Sequence, residues 1–410
     1  MNNAIDGGIV AAKGFKAAGI EAGIKEGHSG KKDMAMIFSD VPCKTAGTFT
    51  TNRVKAAPVI WDREIVTGCT ETRAIVVNSG IANACTGEEG YGYCRDMAVK
   101  VSEVMGIQAE SVLVASTGVI GKQLTMDKIS KGIEMLSSKL GDTKDYAGMA
   151  AEAIMTTDTH PKQIAIQTEI GGKTVTVGGM CKGSGMIHIN MCTMLGFITT
   201  DCAISKKLLQ KALSETVEDT FNMVSVDGDT STNDTVLLMA NGLAENPEIT
   251  EQNDDYYKFK EVLTEVATYL SKQIAGDGEG ATALFEVKVI NAVSKAQAVT
   301  LSKSIVTSSL TKAAIYGHDA NWGRILCAMG YSGADFNLET VDIYFESSAG
   351  RIKIVENGIA TDYSEEEATK ILSEPEVTAI ADIKMGAMEA TAWGCDLTYD
   401  YVKINADYRS

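Results

Sequence analysis

The chain has 410 residues, 45% hydrophobic and 22% charged, a balance that excludes a disordered or collagen-like polymer and allows a large buried core. That length exceeds one ordinary domain and points to two or three modules. A formal net charge of −17 opposes phosphate backbones and anionic lipid, which excludes nucleic-acid and membrane-surface roles in favour of small-molecule partners. The stretch MNNAIDGGIVAAKGF has no basic segment followed by an apolar one, and no later segment approaches the roughly 18 apolar residues of a membrane span. A cytoplasmic protein is expected. Nine cysteines without a CxxC pair read as reduced thiols, and four histidines without HxH or HxxxH spacing predict no metal site.

In chain order, Met126, Ile129, Ile133, Leu136 and Leu140 recur at steps of three and four behind a Thr125 cap, predicting a surface helix. QIAIQTEI and KTVTV then flank Gly171-Gly172, a two-residue turn able to take positive φ, so a hairpin is expected. Next comes the glycine-rich stretch CKGSGM. Ser205 can cap a helix carrying Leu208, Leu209, Ala212, Leu213 and Val217, and TVLLMANG reads as a buried strand ended by Gly242. The polar run 244–256 is the expected surface loop or module edge. After it, Phe259, Val262, Leu263, Val266 and Leu270 mark a helix and LFEVKV a strand. No internal repeat is present, and alternating strands and helices predict a layered α/β or α+β fold.

The unusual segment is KGSGMIHINMCTMLGFITTDCA, residues 182–203, where glycines, Asn190 and small hydroxyl or thiol residues interrupt an apolar run. By residue type alone it is a glycine-rich turn ahead of a buried strand. KGSGM, NMCTML and FITTD, however, resemble the ornithine acetyltransferase family, whose precursor cleaves itself before the Thr of a KGSGM…NMATML motif. GFKAAGIEAGIK (14–25), VVNSGIANACTG (76–87), STGVIG (116–121), AIMTTD (153–158), SVDGDTSTNDT (225–235), GDGEGAT (276–282), NWGRI (321–325) and the terminal INADYRS match in order, so the resemblance spans essentially the whole chain.

The resemblance implies an αββα sandwich of the DmpA-like type with a smaller C-terminal module. It implies cleavage of the Cys192–Thr193 bond, giving an α chain (1–192) and a β chain (193–410) that associate as a two-plus-two heterotetramer. The implied reaction moves an acetyl group from N-acetylornithine to glutamate through an acetyl-Thr193 ester, with no cofactor. Acetyl-CoA is a further donor in some members, and no residue here decides whether it is used. Carried over position by position, Thr117 and Gly118 would form the oxyanion hole, and Thr156, Lys182, Thr193, Glu279, Asn405 and Ser410 would line the substrate site. Two departures are visible: Cys192 replaces the usual Ala before the nucleophile, and Ser410 replaces a terminal Thr while keeping a hydroxyl.

The chemistry of Thr193 is consistent with that role. Its hydroxyl can attack the preceding carbonyl, and opening of the resulting ester frees an α-amino group, ordinarily of pKa about 7.7–8.0, beside the hydroxyl. Such a base needs no histidine. Ser-Thr-Gly alone is commonly just a turn, but a turn can present a hydroxyl and an N–H to a tetrahedral oxyanion. Lys182 suits a substrate carboxylate and Glu279 an ammonium. The run VDGDTSTND fails as a calcium loop, because Thr232 and Leu238 stand where Gly and Glu are needed, and reads as a structural turn near the site. NWGR, with Arg324, reads as structural. Cys192 and Cys202 lack a histidine partner in the motif, and Ser184 lacks a nucleophile-elbow context. Two rival readings remain: an N-terminal-nucleophile aminopeptidase or amidase of related fold with water as acceptor, and a metabolite-binding protein whose NMCTML segment stays uncut.

Overall fold

The computed structural model describes residues 2–25, 27, 29–68, 71–188 and 194–407 of the chain. The nucleophile and cleavage residues expected from the sequence, Thr193 and Cys192, and the terminal Ser410 lie outside them.

The larger sheet is built from β1 (Asn3–Ile5), β2 (Phe15–Ile20), β3 (Met34–Phe49), β4 (Thr72–Ile81), β5 (Val112–Val119), β6 (Lys162–Ile170), β7 (Lys173–Lys182), β8 (Leu195–Thr200) and β9 (Thr235–Ala240). Strand β3 serves both of its halves. Its first part pairs with β2 and β4, its register shifts between Phe38 and Cys43, and its last part, Lys44–Phe49, pairs with β9. An irregularity of this kind bends a strand. It lets β2–β5 fold over β6–β9, so that two layers meet face to face.

Period-two alternation decides what each face meets. Leu195, Phe197, Leu237 and Met239 point between the layers and pack on Ala35, Ile37, Ile75, Val77, Leu113 and Ala115, whereas Ile198, Val236 and Leu238 point outward into a second core. Helices α1 (Ala57–Thr67), α2 (Gly87–Met105), α3 (Met126–Ser137) and α4 (Lys144–Ala153) come from the first half of the chain. Of these, α2 and α3 cover the outer face of β2–β5 with Met97, Val101, Ile129 and Ile133. On the other side α5 (Lys206–Asp219) and α6 (Asp254–Gly276) cover β6–β9 through Leu209, Leu213, Phe259, Val266 and Leu270. The layers therefore run α, β, β, α, as expected.

The smaller sheet contains β10 (Leu284–Ala292), β11 (Asp342–Ser347), β12 (Gly350–Glu356), β13 (Ile359–Ala360), β14 (Glu376–Asp382) and β15 (Met388–Cys395), in the order β13-β12-β11-β14-β10-β15. Within this smaller sheet β10 and β14 pair in parallel and the other described pairs are antiparallel. Its helices are α7 (Lys295–Thr307), α8 (Ser309–Tyr316), α9 (Trp322–Gly330) and α10 (Glu365–Leu372), and α11 (Tyr399–Asp407) follows the last strand. The polar run 244–256 follows β9 and enters the first turn of α6, which itself covers the larger sheet, so it is a surface loop within the larger module and not the edge between modules. The residue 192/193 boundary falls between β7 and β8, neighbours in one sheet with Lys182 opposite Leu195.

Local expectations mostly hold. The β6/β7 hairpin turns at Gly171 (φ 57°) and Gly172 (φ 74°), the left-handed pair a type I′ turn needs. Thr125 and Ser205 precede their helices but make no side-chain capping bond; the Thr125 carbonyl takes Lys128 N and Ile129 N, and Ser205 is pinned through its own N–H to Ile249 O. Leu140 lies beyond the end of α3, packed against the same core. Phe197 is fully buried between the layers. Phe197→Ala is expected to cost about 3–5 kcal/mol of stability, read as a lowered urea midpoint, because that interface cannot close over the lost ring. An unchanged midpoint would mean that the two layers are not rigidly packed there.

Candidate active site

The site is assembled from strand ends and the loops that leave them. Near the end of β5, Thr117 and Gly118 are paired with Ser79 and Gly80 of β4. Gly118 has φ 129°, and a Cβ there would stand 2.3 Å from the Gly80 carbonyl carbon, so only glycine fits. Asn233 supports this corner from the other layer by donating from Nδ2 to Ala82 O (2.5 Å) and Ser116 O (2.6 Å).

Lys182 is the last residue of β7 and is 2% exposed. Its Nζ donates to Thr156 Oγ1 at 2.8 Å and stands 3.9 Å from Asp158 Oδ2. Burial lowers its affinity for a proton, and the Asp158 carboxylate opposes that effect. Beyond β7 the glycine-rich loop is tied down twice. Glu279 N donates to Ser184 O at 3.0 Å, and the Asp227 carboxylate accepts Met186 N at 2.6 Å and Ile187 N at 2.8 Å. The acidic turn that fails as a calcium loop thus holds the glycine-rich segment in place. Gly185 leaves room there for the Glu279 carboxylate, since a Cβ would lie 2.3 Å from its carboxyl carbon and displace it. Glu279 Oε2 accepts Asn405 Nδ2 at 2.8 Å, which brings α11 to the site.

Thr117, Gly118, Thr156, Lys182, Glu279 and Asn405 consequently line one cavity of about 170 Å³. Ser231, Thr232 and Asn233 also line it, residues to which the sequence assigned only a supporting turn. A lysine, a carboxylate with a side-chain amide, and a strand-end hydroxyl beside a glycine N–H can bind an amphoteric amino-acid derivative and stabilise an oxyanion. Met194, the covalent neighbour of Thr193, is buried, and its N–H donates to Asp234 Oδ1 at 3.2 Å. Burial pushes the Asp234 carboxyl well above the usual carboxylate range.

The discarded nucleophiles are engaged elsewhere. Ser184 Oγ donates to Asp277 O at 2.6 Å in a buried bond, and burial raises the Cys202 thiol, which disfavours the thiolate. Arg324 donates to Leu310 O at 2.7 Å, and Asn321 caps α9, so NWGR is structural. Among the described residues no group of three or more His, Cys, Asp or Glu side chains is placed to hold a metal ion, and no helix is long and apolar enough to cross a membrane.

Residues 16–410 match the ArgJ family. This chain belongs to the ArgJ family. Among curated members, the arginine biosynthesis bifunctional protein ArgJ of Thermotoga neapolitana is 53% identical over 399 residues, covering 97% of this chain and 99% of that protein. Its namesake from Caldanaerobacter subterraneus is 52% identical over 406 residues, covering 99% of each. A crystal structure of arginine biosynthesis bifunctional protein ArgJ from Bacillus halodurans is 50% identical with a TM-score of 0.51, covering 53% of this chain and all of that one. The ArgJ family match begins just after the first residues of the chain and takes in every residue that lines the cavity.

Asn233→Leu is expected to leave the Ala82 and Ser116 carbonyls unpaired and to lower stability by about 1–3 kcal/mol, measured by urea unfolding. Wild-type stability in that variant would show that the corner at Thr117 and Gly118 does not depend on Asn233.

Proposed function

We propose that this chain is a self-processing acetyltransferase that moves acetyl from N-acetylornithine to glutamate in arginine biosynthesis. The observation that carries the reading is the single cavity in which Lys182 with Thr156, Glu279 with Asn405, and Thr117 with Gly118 surround one small volume. N-acetylornithine carries a carboxylate, an ammonium and an amide carbonyl, one feature for each pair.

In the precursor, Thr193 Oγ attacks the Cys192 carbonyl, the peptide bond gives way to an ester, and water opens that ester to leave Thr193 with a free α-amine. In turnover, this amine takes the proton from Oγ as Oγ attacks the acetyl carbonyl. The developing oxyanion is met by the Thr117 hydroxyl and the Gly118 N–H, and collapse releases ornithine with its amine protonated. Glutamate's amine then attacks the acetyl-Thr193 ester, and N-acetylglutamate leaves. Lys182 holds the substrate carboxylate and Glu279 the side-chain ammonium, and Ser410 adds a hydroxyl at the chain's end.

After cleavage the 1–192 and 193–410 segments would remain joined by the β7–β8 and β3–β9 pairings, and two such units form the heterotetramer that the resemblance implies. The designation of the curated relatives as bifunctional favours a second activity. Acetyl-CoA acylating the same threonine is the form it would take here. Hydrolysis by water is disfavoured by a site in which Lys182 offers an ion partner to the carboxylate of an amino-acid acceptor.

The deciding experiment is intact-mass measurement joined to a donor screen. The active protein is expected as two fragments, one beginning at Thr193, with acetyl appearing on glutamate rather than in water. Thr193→Ala is expected to remain one chain of 43.6 kDa without acetyl transfer. Normal turnover by that uncut variant would end the proposal. Glu279→Gln is expected to raise KM for N-acetylornithine about tenfold to hundredfold, the worth of one charge-assisted bond of about 1.5–3 kcal/mol, with processing intact. Unchanged KM would remove Glu279 from the ammonium subsite.

A further inference from the structure

Behind the cavity wall lies a second set of charges that the acetyl-transfer reading leaves unused. Lys162, at the start of β6, has no exposed side-chain surface and donates to Asp158 Oδ1 at 2.6 Å and to Asp277 Oδ2 at 2.5 Å. Asp158 also accepts Gly183 N at 2.7 Å and Thr156 N at 3.0 Å. One carboxylate thereby fixes the residue after Lys182 and the residue whose hydroxyl Lys182 holds. Asp277 accepts Thr159 N at 3.0 Å, and its main-chain carbonyl takes Ser184 Oγ at 2.6 Å, two residues before Glu279.

The charges sum in a specific way. Two carboxylates shared by Lys162 leave one negative charge, and Lys182 is the cation that balances it. A buried lysine without such a balance would give up its proton. At the same time Lys162 and Gly183 N occupy Asp158 Oδ1 and Thr156 N takes Oδ2; Lys182 stays 3.9 Å from Oδ2, beyond hydrogen-bonding distance, and among the described residues one of its three donors is spent, on Thr156. A hydrogen-bonded Lys182–Asp158 pair would have withdrawn that ammonium from the cavity.

We propose that Asp158, Lys162 and Asp277 are positioning residues that keep Lys182 charged yet free to receive the substrate carboxylate, and that hold it at a fixed separation from Glu279. Asp158 and Lys162 precede residue 193 and Asp277 follows it, so the triad also joins the two segments that cleavage would create. The inference rests on the reading of Lys182 as the carboxylate-binding group. Burial and Lys162 act to lower the Lys182 proton affinity, and Asp158, Glu279 and Asp234 act to raise it. Lys25, whose Nζ donates to Met155 O at 2.9 Å, also faces it as a like charge. The two lysine partners of Asp158 in turn hold its own carboxyl below the usual range against the effect of burial.

The sign of the pH effect follows from these charges. Asp158→Asn removes the balancing anion, so Lys182 loses its proton at lower pH. The alkaline limb of kcat/KM for N-acetylornithine is expected to move down by about one pH unit or more, with KM at pH 8 raised about tenfold and kcat little changed. Lys162→Met with Asp277→Asn keeps the net charge but lets Lys182 close onto Asp158. KM should again rise, while the alkaline limb moves up instead of down. The apparent titration of Lys182 is read independently, by competitive acetylation with acetic anhydride and peptide mass spectrometry, in wild type and both variants. Should Asp158→Asn fail to fold, the double variant decides. Wild-type KM and wild-type Lys182 titration in a folded variant would overturn the proposal and leave the triad as a structural ion cluster. Absence of acetyl transfer by the wild-type protein would instead sink the functional reading, with the Lys182 titration still reporting on the charge balance.

Discussion

The site depends on an ammonium group with almost no access to water. Lys182 ends a strand of the larger sheet with 2% of its surface exposed, and the neighbouring carboxylates and hydroxyl are arranged around its charge. A single pairing carboxylate would neutralise it but also occupy it. Asp158 is shared with a second buried lysine, Lys162, which is itself paired with Asp277, and Lys182 stays 3.9 Å from Asp158 while lining the cavity. Buried ion clusters are poor sources of net stability. Their value here is geometric, since the same carboxylates bond the backbone on both sides of the cavity wall.

The bent strand β3 explains why the cavity lies where it does. Folding β2–β5 over β6–β9 brings the end of β5 beside the ends of β7 and β8, so that a strand-end hydroxyl and glycine from one layer face a lysine from the other. Close approach is enforced by atoms that are missing. Gly118 lets two backbones meet at Gly80, and Gly185 leaves room for the Glu279 carboxylate. Asn233 and Asp227 then lock the two loops by donating and accepting main-chain bonds respectively, which is why an acidic turn with calcium-like spacing sits beside the cavity without cation-loop geometry.

Chemically, the arrangement suits a reaction in which the catalyst is generated from the chain itself. Few histidines are available, and Cys181, Cys202 and Ser184 near the glycine-rich segment are buried, with Ser184 bonded to Asp277 O. Membership of the ArgJ family and a cavity with opposed charges at its ends agree on an amphoteric amino-acid derivative as ligand.

Much of this was legible in the amino-acid sequence because it is written in local order. The Gly171-Gly172 hairpin, the helix faces around Leu213 and Val266, and the polar stretch 244–256 depend on spacing between near neighbours, and the ordered motifs carried the family, the αββα layers and six residues of one cavity. That the Thr125 and Ser205 side chains make no caps was not legible, because it depends on a backbone already held by other carbonyls and N–H groups. Nor was the pairing of Lys162 with Asp277, separated by 115 residues, or the contact of Asn233 with Ala82 across 151. No periodicity links such positions. By itself the sequence determined which residue types are available and which short segments turn, coil or extend. Only the tertiary structure decided which charges share one buried volume, because that depends on how a bent sheet closes on itself.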